Sequence, residues 1–290
     1  MFSALGLEAD VSHTKHRESK QMPFNFTDTT LMVFRIKGFS LEVDEFCGNA
    51  TGFVCKRNNK YYLVTNKHVV TGKNPATNKF ISGSTIPGRI SFNLRKNSNP
   101  SLPTQNSSPF PVSKLRLYDD EYDLKTKQWL EHPTDPKIDV VALDITTIIA
   151  PEQTPYESIM CFDLENFKSH TDLAVMDQVF IVGYPLDPKL YPEHFPIYKS
   201  ATIATEPFLR FGSPYFLVDG KTKSGMSGSP VLRQERDIVR VDGLKLTHIT
   251  DRRNFLGIYS GRDVNDEELT TAELGIVWPC EECLLPILDQ

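Results

Sequence analysis

Thr51–Val70 reads TGFVCKRNNKYYLVTNKHVV. Two runs rich in Val, Phe, Tyr and Leu, TGFVCK and YYLVT, flank the polar triplet RNN. Aromatic and β-branched residues suit a pleated, half-buried strand, and asparagines tolerate the left-handed backbone angles that close a tight hairpin. The pattern predicts two antiparallel strands, then a short turn around Lys67–Val70 that presents His68 directly off a strand end.

The same pattern recurs along the chain. RISFNLR, KLRLY, DVVALDI, QVFIVGYP, YKSATIAT, YFLVDG, SPVLRQ, NFLGIYSG and LGIVWP are short apolar runs separated by Gly, Pro, Asn and Asp. Helical periodicity is scarce; the closing CEECLLPILDQ is the best helix candidate, and Pro286 limits it. No repeat of the 20–50-residue kind is present. The expected class is therefore all-β, built as two barrels or sandwiches. Two long excursions interrupt the strands, at residues 71–81 and 95–113, the second dense in Asn, Ser and Pro. Residues 1–28 are polar, with His13, Lys15, His16, Arg17 and Lys20 close together, and read as a tail or arm.

Composition narrows the class further. A chain of 290 residues with 39% hydrophobic and 24% charged residues can bury a sizeable core. Its 32 basic and 37 acidic residues give a net charge of −5, which argues against a nucleic-acid surface. No stretch approaches the ~18 uninterrupted apolar residues of a membrane span. The start lacks the basic n-region of a secretory signal, so the cytoplasm is the expected compartment. Five cysteines, Cys47, Cys55, Cys161, Cys280 and Cys283, form no even disulfide framework. Cys280 and Cys283 have the C-x-x-C spacing of a metal or redox pair. Cys47 and Cys55 are too far apart to complete a zinc site of the usual spacing, so reduced thiols and no metal are expected.

The chemistry gathers on KSGMSGSPVL, Lys223–Leu232. A serine hydroxyl attacks well only when a histidine takes its proton and a carboxylate fixes the histidine tautomer. The developing oxyanion needs backbone N–H donors, and small residues let the chain curl around it. Of the three serines in the stretch, Ser227 alone has Gly225 two before it and Gly228 after it; Ser224 and Ser229 lack that frame. Upstream, YLVTNKHVV supplies His68, and KIDVVALDI supplies Asp139 immediately before a strand. Asp135 and Asp144 are nearby rivals, the first in a proline-bounded loop and the second at the far end of the strand.

In this order the motifs resemble those of a trypsin/chymotrypsin-fold serine peptidase, nearest the bacterial HtrA-like (Deg-type) branch. TNKHVV is similar to the family's T-A-A-H-V, IDVVAL to D-x-A-x-L, and GMSGSPV to G-x-S-G-x-P-V/L with Ser229 where glycine is common. VFIVGYPL resembles the strand and turn that open the second barrel; FLGIYSGR and ELGIVWP resemble the last two strands. The resemblance runs from about Gly48 to Pro279 and implies two six-stranded antiparallel β-barrels with a short C-terminal helix. Residues 29–155 would form the first barrel, carrying His68 and Asp139, and residues 156–290 the second, carrying Ser227.

The implied activity is endopeptidase hydrolysis through an acyl-enzyme, with no cofactor and a protein or peptide as substrate. The implied oxyanion hole is the backbone N–H groups of Gly225 and Ser227. The implied pocket for the residue before the scissile bond lies near Lys221 and along Ser260, Gly261 and Arg262. Two cations there would suit an acidic side chain; the alternative is that both point to solvent. Asp219 stands where relatives often carry an acidic residue, equally suited to a surface turn before Gly220. Met226 stands where zymogen-activated relatives carry an aspartate, so activation by a new N-terminus is not expected, and too few residues follow Ser227 for a PDZ domain. The expected control is by a regulatory protein partner or by the long loops; a peptidase-fold binding protein without turnover is the alternative.

Overall fold

The computed structural model describes residues 28–81, 83–97, 107–120, 123–149, 158–170, 172–185, 195–208, 214–241, 244–261 and 273–290. The predicted tail up to residue 27, the middle of the 95–113 excursion and Arg262 lie outside these described residues.

After a short helix, α1 (Asp28–Met32), strands β1 (Val33–Ser40), β2 (Phe46–Arg57) and β3 (Lys60–Thr65) pair antiparallel in succession. The predicted hairpin closes through Asn58 and Asn59, at φ 53 and 59. That mirror-image turn matches the twist of the strands. Their backbone N–H groups donate to Glu165 Oε2 and Oε1 at 3.1 and 3.0 Å, which holds the Glu165 carboxyl below its ordinary pKa. The predicted turn is helix α2 (Lys67–Thr71).

Strands β4 (Pro87–Asn97), β5 (Ser107–Arg116), β6 (Leu130–Glu131), β7 (Val141–Asp144), β8 (Ser158–Ile159) and β9 (Phe162–Asp163) complete a nine-stranded sheet. A one-turn helix, α3 (Thr146–Ile149), follows β7. The strand order is β5-β4-β1-β2-β3-β7-β6, with β8 on β4 and β9 on β2. Strands β10 (Gln178–Gly183), β11 (Ile197–Ile203), β12 (Phe216–Asp219), β13 (Ser229–Val241), β14 (Leu244–Gly261) and β15 (Leu274–Pro279) close a barrel in the order β10-β11-β12-β15-β14-β13.

The expected architecture of two six-stranded antiparallel barrels is therefore met in its second half and altered in its first. Among the described residues the first half has nine strands and one parallel strand pair, with Cys55 opposite Phe162. The reason lies in strand length. β1 covers β2 only as far as Phe53, so the rest of that edge is free to take β9 at Cys55 and Lys56. The far end of β4 takes β8 at Lys96 and Asn97 in the same way.

Alternation along β2 and β3 explains why their sequence runs apolar. Phe53, Cys55, Tyr62 and Val64 face a core that also holds Leu232, Phe255, Ile258 and Trp278 from the barrel side. Val54 and Leu63 face the opposite core with Ile36, Ile90 and Leu143. Both faces are buried, so no polar side is needed. A third core fills the barrel, with Val179, Ile181, Phe216, Met226, Val231 and Tyr259 inside. Each fully buried side chain of this size contributes ~1.5–3 kcal/mol.

The chain ends in a π-helical turn, Cys280–Leu284, and a short helix, Leu285–Leu288. Pro286 sits in that helix's first turn, where its missing N–H costs nothing. Cys280, Cys283, Leu284 and Ile287 are fully buried against the junction core. Cys47, by contrast, is exposed. Burial pushes the Cys55 and Cys280 thiols well above their ordinary pKa and that of Cys161 to about 11. None of the five cysteines is in a disulfide, and no cluster of three metal-ligating side chains occurs among the described residues. No described helix is long and apolar enough to cross a membrane.

Candidate active site

His68 and Asp139 flank two strands of the nine-stranded sheet, β3 and β7. Asn66 leaves β3 in an extended conformation (φ −81, ψ 151) and starts α2, which puts His68 in the helix's first turn. Asp139 precedes β7, and β3 pairs with β7 through Thr65 and Val141, so the two ends meet. Asn66 Nδ2 donates to the Asp139 carbonyl at 2.6 Å. Lys67 Nζ reaches Glu131 Oε2 at 2.8 Å and the Pro136 carbonyl at 3.0 Å, tying the same loop from the other side. Lys67, Trp129 and Lys127 together hold the Glu131 carboxyl below its ordinary pKa, against the opposing effect of burial.

The Asp139 carboxylate has 8% of its side chain exposed and engages His68 through both oxygens. Oδ1 accepts the His68 backbone N–H at 2.9 Å, and Oδ2 lies 2.6 Å from the ring Nδ1. A carboxylate can only accept, so Nδ1 carries the proton and Nε2 of the neutral ring is left as a base.

Ser227 sits on the loop between β12 and β13, and that loop is pinned to β2 by one residue. Thr51 N–H donates to the Ser227 carbonyl at 2.8 Å, and Thr51 Oγ1 donates to the Gly225 carbonyl at 2.7 Å. The same Oγ1 accepts the Tyr184 N–H at 3.1 Å, and the Thr51 carbonyl accepts Thr65 Oγ1 at 2.9 Å. From the barrel, Gly228 N–H donates to the Tyr259 carbonyl at 2.9 Å, and the Met226 side chain is fully buried. Gly225 and Gly228 have φ of 97 and 84, and a Cβ on either would stand 2.3 Å from the Tyr184 carbonyl oxygen or 2.1 Å from that of Thr51. Only glycine meets both the angle and the space. Among the described residues, neither the Gly225 nor the Ser227 N–H donates to a protein acceptor.

Two clefts meet at His68 and Ser227. One, of about 510 Å³, runs past Ile36, Phe46, Cys47 and Asn49. The other, of about 470 Å³, runs past Thr222, Ser260, Gly261, Ile276 and Trp278. A third, of about 590 Å³, between α1 and Phe162, Phe167 and Phe255, contains neither residue. Ser227 Oγ makes no hydrogen bond to His68 among the described contacts; the two side chains share the rim of both clefts.

The structure thus brings His68, Asp139, Ser227 and Gly225 to one place, with Ser260 and Gly261 beside them. Lys221 departs from the expectation. It is absent from the cleft lining, its side chain is 75% exposed, and Nζ pairs with Glu273 Oε1 at 3.5 Å. The pull of a nearby acid on a solvated ammonium directs it outward, and Lys223 borders the cleft instead. Among the rivals, Ser229 is fully buried, Asp135 accepts the Lys137 N–H in its own turn, and Asp144 pairs with Lys60 at 3.8 Å. Ser224 borders both clefts. Asp219 is an exposed strand-end residue opposite Leu274. Thr51 and Asn66 were not singled out from sequence; their place beside the hairpin and the histidine is the only local signal.

The model of the trypsin-like peptidase domain matches residues 50–239. The chain belongs to the trypsin-like peptidase family. Among solved structures, Deg5 is 16% identical, with 88% of this chain and 86% of that chain covered and a TM-score of 0.46. A serine-to-alanine mutant of Rv3671c from M. tuberculosis, in its inactive form, is 16% identical, with 91% and 86% covered and a TM-score of 0.40. The Rv3671c protease in an inactive form is also 16% identical, with 90% and 89% covered and a TM-score of 0.40. No curated protein matches the chain. The matched segment of this trypsin-like peptidase contains His68, Asp139 and Ser227.

Proposed function

We propose that the protein is a serine endopeptidase in which Ser227 is the nucleophile, His68 the general base and Asp139 the residue that orients it. The observation that carries this is the two-point grip of Asp139 on His68 beside a serine at the junction of two clefts. Ser227 Oγ attacks the substrate carbonyl carbon while its proton passes to His68 Nε2. The carbonyl oxygen takes the negative charge, held by the N–H groups of Gly225 and Ser227, each worth ~3–4 kcal/mol to the transition state. Collapse returns the proton to the leaving amine and leaves the acyl-enzyme. Water, deprotonated by His68, then attacks the ester, and Ser227 recovers its proton as the acid leaves.

The substrate is a protein or peptide laid across both clefts, and no step calls for a metal or cofactor. The motifs around the three residues favour the HtrA-like branch of the family. The second reading is a form completed by substrate or by a regulatory protein partner, since catalytic hydrogen bonds often tighten only in the complex. A fluorophosphonate probe tests both. Labelling of the purified protein that disappears in Ser227→Ala and falls steeply in His68→Ala is expected. Labelling that appears only in cell lysate points to the partner-gated form, and none in either setting overturns the assignment.

A further inference from the structure

Resting on that reading of Ser227, we infer that Tyr259 is the residue that sets the size of side chain accepted immediately before the scissile bond, and that it restricts that side chain to a small one. The acyl part of the substrate must lie beside Gly261, because a Cβ built there would stand 3.5 Å from Ser227 Oγ. Its side chain then points between Thr222 on one wall and Ser260 and Ile276 on the other, all of which border the cleft.

The space behind those walls is taken. Tyr259 precedes Ser260 on β14 and, by strand alternation, turns its ring into the barrel, where it is fully buried. The phenol crosses from β14 to the Ser227 loop, and its hydroxyl lies 2.5 Å from Thr222 Oγ1. On its way the ring edge lies against the backbone of Gly275, where an added Cβ would come within 2.4 Å of Cε2. Among the described residues, phenol, hydroxyl pair and glycine backbone fill the space behind Thr222 and Ser260 that a long side chain would need. Lys221 has turned out to Glu273, and the described cations that border the cleft are Lys137 and Lys223. The chemistry left to a substrate is a short side chain such as alanine or serine, with size as the filter.

Peptidyl phosphonate esters that modify the nucleophile test this, compared by inactivation rate with Ala, Leu, Phe, Lys or Glu in the position before the reactive group. Wild-type protein is expected to react with the alanine probe at least about tenfold faster than with any of the others, the scale on which a pocket discriminates by size. Tyr259→Phe keeps the ring and should keep that order. Tyr259→Val removes the ring and should raise the Leu and Phe rates relative to Ala by about tenfold or more. A wild type that prefers Phe, Leu, Lys or Glu overturns the inference, as does a folded Tyr259→Val protein with the wild-type order. If Tyr259→Val does not fold, the wild-type order and Tyr259→Phe decide the matter. Fluorophosphonate labelling run in parallel separates the two claims. Labelling of Ser227 with the wrong order defeats only the role of Tyr259, whereas no labelling by any probe defeats the nucleophile and this inference together.

Discussion

Asp139 holds His68 by backbone and ring at once, Oδ1 on the main-chain N–H at 2.9 Å and Oδ2 on Nδ1 at 2.6 Å. One contact fixes where the helix begins and the other fixes the tautomer. An asparagine cannot serve both, because its amide would offer a donor where Nδ1–H needs an acceptor. Asp139→Asn should therefore lower kcat by roughly 10⁴-fold while KM stays close to the wild-type value. Steady-state kinetics on a peptide the wild type cleaves will show it; near-wild-type turnover would remove Asp139 from the site.

Thr51 makes the second prediction. Its hydroxyl joins the Gly225 carbonyl to the Tyr184 N–H across the sheet–barrel junction. Thr51→Val keeps the shape and strands both partners, which should cost ~1–3 kcal/mol of stability. The Gly225 peptide would also lose its anchor, so turnover should drop further than stability alone accounts for. Chemical denaturation and kinetics on the same preparation separate the two effects. Unchanged turnover would show that the loop holds its own shape.

The thiols give a third. Cys55, Cys280 and Cys283 are fully buried, whereas Cys47 lies open on the rim of one cleft. A thiol reagent should modify Cys47 first, slowed because partial burial raises its pKa, and those three only on unfolding. Mass spectrometry of partly labelled protein checks the order. Fast labelling of Cys283 in the native protein would contradict the packing of the C-terminal turn.

A fourth concerns acid. Arg57 grips Asp289 through Nε and Nη2 at 2.9 and 3.0 Å, and that hydrogen bonding, more than charge alone, lowers the Asp289 pKa. A depressed carboxylate adds stability that is present above its unfolded pKa and is lost as pH falls through the folded value. The pair is partly exposed, so the contribution is below ~1 kcal/mol. Asp289→Asn should lower stability slightly at neutral pH and converge with wild type in acid. Melts across that range would refute the sign if the gap widened as pH fell.

How much of this was legible beforehand differs by residue. His68, Asp139, Ser227 and Gly225 stand out because their chemistry constrains neighbours only one or two positions away, and the Asn58–Asn59 turn is equally local. Lys221 did not, because its direction is decided by Glu273, far along the chain on the approach to β15. Thr51 sat inside the hairpin that was read correctly, yet nothing in TGFVCK says that its hydroxyl reaches the serine loop. The extra strands β8 and β9 depend on unpaired stretches of β2 and β4, an edge property that sequence alternation does not record.

The bonds from Thr51 have a mechanical consequence. The histidine and the serine ride on different halves of the fold, and the hydrogen bonds that tie the serine loop to β2 cluster at a single residue. The distance across which a proton must travel is then a property of the seam. Sliding one half over the other by a fraction of a bond length would part His68 from Ser227 while every strand stayed intact.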